Sequence, residues 1–170
     1  MAEAPAGRAL GQLVEVVVVA ADDPRHRALV RDAEVELQRR YGEGSLEPPE
    51  GASHPDPADV VHLLAVAGDV ALGCAVVAPL PVVGPGVGEV KRLFVPATAR
   101  RRGVATALLR AAEDAARGRG LHALHLVTGT LQPEAIALYE REGWSAVTPY
   151  AWADDPMTRT FGKTLTAAPG

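Results

Sequence analysis

Six consecutive residues, Arg100-Arg101-Arg102-Gly103-Val104-Ala105, carry the sharpest chemical signal in the chain. An apolar strand pattern, Glu89-Val90-Lys91-Arg92-Leu93-Phe94-Val95, precedes them, and an amphipathic helix pattern follows at once. A strand that feeds a helix through a basic turn leaves free backbone N–H groups at the helix start. There the positive end of the helix dipole and three arginines act together. Such a site favours a phosphate-bearing ligand. Glycine at 103 and alanine at 105 keep bulky side chains from holding that ligand off the backbone.

Composition limits what the turn can serve. The chain has 170 residues, 48% of them hydrophobic, which fits one domain around one substantial core. Its net charge of −4 excludes a polycation that seeks nucleic acid along its whole length. Between Lys91 and Arg119, however, eight Lys or Arg stand against two acids. That local excess suits a compact polyanion better than a long phosphate backbone. Cys74 is the only cysteine, so neither an intrachain disulfide nor a thiolate zinc cluster is expected, and a reducing, cytoplasmic setting is the default. His54, His62, His122 and His125 are scattered singly, without metal-ligand spacing, and read as structural or solvated. No metal is expected. The apolar stretch from Val60 to Gly88 is cut by Gly68-Asp69 and broken by Pro79, Pro81 and Pro85, so a buried hairpin is expected rather than a membrane span. Glu15 interrupts the first apolar run and argues against a signal peptide.

The elements that must position the turn follow from periodicity. Leu13 to Ala20 is a valine-rich strand. Asp22 and Asp23 can cap the next helix, Pro24 suits its first turn, and Ala28, Leu29, Ala33, Val35, Glu36 and Leu37 make it weakly amphipathic up to about Arg40. From Tyr41 to Asp59 four prolines and three glycines indicate a loop or a short irregular helix. Val60–Ala67 and Val70–Ala78 form a hairpin through Gly68-Asp69, and Glu89–Val95 is the next strand. A helix from about Arg102 to Arg117 buries Val104, Leu108, Ala112 and Ala115, with Arg110/Asp114 and Glu113/Arg117 pairing on its outer face. Leu121–Thr128 is a strand in which Leu124, Leu126 and Thr128 alternate with His125 and Val127. Gln132-Pro133-Glu134 opens a short helix that Gly143 ends, and two strands close the chain. The order βαβββαβαβ(β) makes an α/β (α+β) domain.

These residues resemble the GNAT superfamily of acetyl-CoA-dependent N-acetyltransferases over nearly the whole chain. The family's pyrophosphate pattern of Gln or Arg, two residues, Gly, one residue, Gly or Ala reads here as Arg100, Gly103, Ala105. The strand Glu-Val-Lys-Arg-Leu-Phe-Val and the run Gln132-Pro133-Glu134-Ala135-Ile136-Ala137-Leu138-Tyr139-Glu140 before Gly143-Trp144 agree in spacing and order. The resemblance implies a mixed, mostly antiparallel sheet of six to seven strands that splays beside Glu89 to Val95. It also implies that backbone groups of Leu93, Phe94 and Val95 hold the pantetheine arm of acetyl-CoA. By the same resemblance the amides of Arg101, Arg102, Gly103, Val104, Ala105 and Thr106 are expected to hold the pyrophosphate, with Arg100 at the start of the motif. Gln132 departs from the family's usual asparagine and can contact the cofactor or cap its helix.

Amine attack on a thioester requires a neutral amine, yet an amine of pKa about 10 is mostly protonated at pH 7. Glu89, beside the expected thioester, is the candidate base. Tyr139 matches the family tyrosine that protonates the departing thiolate, and a backbone N–H near Phe94 or Val95 can stabilise a transient oxyanion. Each has a plainer counterpart: Glu89 can simply pair with Lys91 or Arg92, and Tyr139 can be a core aromatic. The resemblance implies that the acceptor, a small-molecule or peptide amine, binds between the end of the first helix with its following loop, roughly Arg39 to Asp59, and the segment from Pro149 to Pro156. Tyr150 and Trp152 would wall that pocket, with Glu43, Glu47, Asp154 or Asp155 facing a cationic amine. Neither nucleic acid nor membrane is an expected partner, and a homodimer is compatible with the sequence. Two other readings compete with the enzyme: a catalytically silent acyl-CoA-binding sensor, and a nucleic-acid-binding domain built on the arginines.

Overall fold

The computed structural model describes residues 13–42 and 57–167. The sheet has seven strands: β1 (Glu15–Val19), β2 (Val61–Ala67), β3 (Val70–Pro79), β4 (Val87–Phe94), β5 (Ala123–Gly129), β6 (Ser145–Ala146) and β7 (Thr158–Thr164), arranged β1-β2-β3-β4-β5-β7-β6. Three α-helices accompany it, α1 (Pro24–Tyr41), α2 (Val104–Gly118) and α3 (Pro133–Arg141). The element order is the one the sequence patterns give, with both closing strands formed. Glu43, Glu47 and His54 lie outside the described residues.

Local chemistry sets the helix ends. Asp23 caps α1 by accepting the Arg25 N–H at 2.9 Å, Pro24 occupies the first turn, and Gly42 follows the last. The side-chain hydrogen bond from Arg25 comes first among the causes that lower the Asp23 carboxyl to about 2. Gly103 takes a left-handed conformation, φ 75°, where a side chain is strained, and this bend turns the chain from the β4 connection into α2.

The two faces of the sheet differ. Val104, Leu108, Leu109, Ala112 and Ala116 of α2 are buried in one apolar cluster with Val77, Val90, Leu124 and Leu126, and this cluster also takes in Tyr139 of α3. Each fully buried leucine contributes about 2 kcal/mol. On the opposite face α1 lays Leu29 against Leu64, Val66 and Cys74. Cross-strand partners share a face, so Glu89, opposite Ala78, and Lys91, opposite Val76, project on the α1 side.

Three helical expectations are corrected. Arg110 does not pair with Asp114; it approaches Glu142 at 3.8 Å, while Arg117 takes both Asp114 and Glu113. Glu113 is buried rather than outward, because Lys163 on β7 donates to it from the sheet at 2.7 Å. In α1, Val35 is 46% exposed, and Glu36 turns to the arginine turn instead.

Candidate active site

The site begins where β4 and β5 stop pairing. This is the sheet's one parallel pair among the described strands, and its register runs only through Val87–Ala123, Gly88–Leu124 and Glu89–His125. Beyond Glu89 the strands part, so the remaining stretch of β4 has β3 on one side and a gap on the other. On the β3 side the register slips between Cys74/Phe94 and Val76/Lys91, a bulge centred on Arg92, whose φ is 54°. Bulges twist a strand and redirect its side chains.

At the end of β4 stands the basic turn. The first intrahelical bond of α2 runs from the Ala107 N–H to the Gly103 carbonyl at 3.0 Å, so the amides of Val104, Ala105 and Thr106 precede the hydrogen-bonded ladder. Open space surrounds the Cα of Gly103. Arg101 and Arg102 are exposed, with Arg101 at φ 64°. Arg100 behaves differently. Its Nε donates to the Val95 carbonyl at 2.9 Å, and its Nη2 donates to both oxygens of Glu36 at 2.8 and 2.7 Å. The Arg100 guanidinium therefore shapes the turn from behind, and the amides are left to face a ligand.

Glu36 extends this contact into a chain. Arg40 donates to Glu36 at 3.0 Å and also to Glu134 at the start of α3. Tyr41 accepts the Leu131 N–H at 3.0 Å, and its hydroxyl lies where a Cβ on residue 129 would stand, so a side chain there would displace the tyrosine. The end of α1 thus reaches across the open gap to the β5–α3 connection.

Glu89 is 8% exposed, and each of its carboxylate oxygens has one partner. Tyr150 donates to Oε1 at 2.8 Å, and Lys91 Nζ lies 3.2 Å from Oε2. His125 neighbours Glu89 on β5 and faces the Tyr150 ring at 6.0 Å between centroids. Burial lowers the His125 pKa, against a smaller upward pull from Glu89, and its Nδ1 is buried without a partner among the described residues. Tyr150 is raised above the ordinary tyrosine range by burial and by the Glu89 carboxylate.

Tyr139 occupies the other face. Its ring packs against Trp144 at 6.2 Å and Phe161 at 5.9 Å, and burial alone raises its hydroxyl above the ordinary range. Glu89 and Tyr139 therefore lie on opposite faces of the sheet. Gln132 stands at the N-terminus of α3 without a side-chain capping bond. Asp155 caps its own turn, accepting the Met157 N–H at 2.8 Å, and Asp154 is exposed.

Sequence reasoning missed three members of this site. By sequence His125 is an isolated histidine, although strand alternation sets it opposite in facing to Leu124 and Leu126. Tyr150 carries the signal of a pocket wall at most, because it sits in an irregular segment with no periodicity. Glu36 carried no signal beyond its place on a helix.

The gap and the amide-lined turn leave room for an elongated, phosphate-bearing ligand. Residues 25–144 match the family model for the acetyltransferase (GNAT) family. The chain is 36% identical over 155 residues to the IAA acetyltransferase of Azospirillum brasilense, covering 88% of this chain and 98% of that protein. Among solved structures, a Klebsiella pneumoniae protein assigned as an acyl-CoA N-acyltransferase superposes with a TM-score of 0.75 at 27% identity, over 91% of this chain and 99% of that one. The IAA acetyltransferase of Bacillus cereus, 16% identical over 90% of this chain and 100% of its own, shares the fold with a TM-score of 0.62. Motif, splayed sheet and matched family model converge, and the chain belongs to the acetyltransferase (GNAT) family as an acyltransferase enzyme.

Proposed function

We propose that the enzyme transfers an acetyl group from acetyl-CoA to a primary amine of a small molecule or peptide, by direct attack in a ternary complex. The observation that carries this reading is the parting of β4 from β5 immediately after Glu89, with the amide-lined turn at the end of the same strand. Acetyl-CoA supplies a thioester, whose C–S bond breaks as the amine forms its new N–C bond. The amides from Arg101 to Thr106 donate to the pyrophosphate, with the exposed side chains of Arg101 and Arg102 free to reach other phosphate oxygens. Leu93, Phe94 and Val95 offer backbone groups along the gap, and Gln132 offers its amide from the start of α3. Arg100 holds the turn in shape through Glu36 and Val95.

Glu89 accepts the proton that the amine must lose, and Tyr150 and Lys91 fix the orientation of its carboxylate. Tyr139, kept protonated by its burial, gives a proton to the departing sulfur from the opposite face. Cys74 takes no part as a nucleophile: burial pushes its thiol up to about 12, and Sγ points to the Arg92 carbonyl at 3.4 Å. That supports direct transfer over an acyl-cysteine route.

The deciding experiment is calorimetric titration with acetyl-CoA, followed by a free-thiol release assay over amines, amino acids, peptides and IAA. Binding with thiol release for one acceptor is expected. Binding without release across the panel would convert the reading to a silent acyl-CoA sensor, and no binding would remove it.

A further inference from the structure

A cleft of about 440 Å³ opens on the α1 face of the sheet, between α1 and strands β2 to β4. His62, Val76 and Ala78 form part of its floor, and Ala78 stands directly opposite Glu89 in the β3–β4 ladder. The cleft therefore adjoins the carboxylate assigned above as the base. Its charge is one-sided: Arg27 and Arg31 from α1 and Lys91 and Arg92 from β4 line it, against the single carboxylate of Glu34.

The bulge at Arg92 produces part of this charge. Regular alternation would send Lys91 and Arg92 to opposite faces, yet both line the same cleft. Lys91 is neutralised by Glu89 at 3.2 Å and Arg92 by Glu34 at 3.5 Å. Arg27 and Arg31 form no ion pair among the described residues. On the floor, His62 meets the His26 ring at 5.1 Å between centroids, and its Nδ1 is buried with no hydrogen-bond partner among the described residues. Two guanidinium groups with no carboxylate partner among the described residues, on the wall of one cleft, make a receptor for a small anion. Val30, Val60 and Val76 give the same cleft an apolar wall.

We infer that this cleft holds the anionic end of the acceptor, and that the acceptor is a small amine bearing a carboxylate and an apolar body, of the amino-acid class. The inference rests on the acetyltransfer reading for which end of the acceptor reacts: with the carboxylate at Arg27 and Arg31, the amine is directed along the floor toward Glu89. The guanidinium fork matches a carboxylate with two parallel hydrogen bonds. A cleft of this volume suits a small molecule. Acids from the Pro149–Pro156 segment, expected from the sequence to meet a cationic acceptor, do not line it.

The test is calorimetric titration of the full chain, with coenzyme A present, against leucine, valine and phenylalanine, each compared with its own amide. The same series is repeated on the Arg27→Gln/Arg31→Gln double variant, whose substituted side chains are exposed and whose fold is checked by circular dichroism. At least one acid is expected to bind about tenfold tighter than its amide, with the preference lost in the variant. Acids and amides that bind alike, failure of every acid to bind, or a preference that survives in the variant each overturn the inference. Thiol release from acetyl-CoA is read in parallel. A carboxylate preference without thiol release overturns acetyltransfer and leaves the cleft assignment standing, whereas thiol release with amides as readily as with acids does the reverse.

Discussion

Tyr150 donates its hydroxyl to Glu89 Oε1 at 2.8 Å, so the connection between the last two strands reaches back to orient a carboxylate in the middle of the sheet. With Lys91 on the other oxygen, each carboxylate oxygen of Glu89 has one partner and a remaining acceptor site. A base held this way is directed rather than free to rotate.

Replacing Glu89 with Gln removes the proton acceptor and keeps the shape. The expected result is a fall in kcat of about 10²- to 10³-fold with acetyl-CoA affinity unchanged, read by thiol release and calorimetry. Tyr150→Phe, which deletes one orienting bond, is expected to give a smaller loss in the same assay. A Glu89→Gln enzyme that retains full kcat would exclude Glu89 as the base.

Tyr139→Phe preserves the packing against Trp144 and Phe161 and deletes only the hydroxyl. A loss of about 10- to 100-fold in kcat, with little change in KM, is expected of a proton donor. Burial raises the Tyr139 pKa, so its protonated form persists through the ordinary tyrosine range, and the rate should show no alkaline decline near pH 10 from this residue. A Phe variant that retains full kcat would exclude Tyr139 as the proton donor, and an alkaline limb near pH 10 that vanishes in it would contradict only the upward shift.

Gly103→Val separates binding from folding. No neighbour lies within 4 Å of a Cβ built on this residue, so the cost to the fold is the left-handed φ of 75°, about 1–2 kcal/mol. The β-branched side chain would cover the amides of the next turn. Acetyl-CoA binding is expected to disappear while far-UV circular dichroism stays native, and unchanged affinity would remove this turn from the site.

Cys74 offers a pH signature. Its thiol is raised from 9.0 to about 12 by burial, so the folded state holds the proton that the unfolded chain releases above pH 9. The stability associated with it is complete below about pH 9 and is lost as pH rises toward 12. Native protein should resist thiol reagents at pH 8, and Cys74→Ala should keep kcat while shedding the alkaline part of the stability loss.

Much of this architecture could be read from residue types. Valine-rich runs, Gly68-Asp69 and the Gly103 bend mark strands, a hairpin and a helix start, because burial and backbone sterics act locally. Arg100 to Ala105 stand out by their place between a strand and a helix, whereas Glu89 and Tyr139 stand out only through the family resemblance. The partners of these residues do not. Tyr150 meets Glu89 across 61 positions and Arg100 meets Glu36 across 64, and such meetings depend on how helices and loops pack after the strands have paired. His125 lay between these cases: its facing was legible, but its neighbour on β4 follows only from the parallel register. The inward turn of Glu113 was hidden because its partner, Lys163, comes from the final strand.

The three-rung pairing of β4 with β5 has a thermodynamic consequence. Four strands lie on one side of that seam and three on the other, and the sheet joins them through Val87, Gly88 and Glu89 alone. Past the seam, the link from Arg100 through Glu36 and Arg40 to Glu134 is an electrostatic clasp over a missing stretch of backbone ladder. Anything that lodges there and satisfies the open amides acts as a temporary rung. Occupancy and cohesion of the two halves are then linked quantities, so the melting temperature itself becomes a binding assay, rising with the logarithm of ligand concentration.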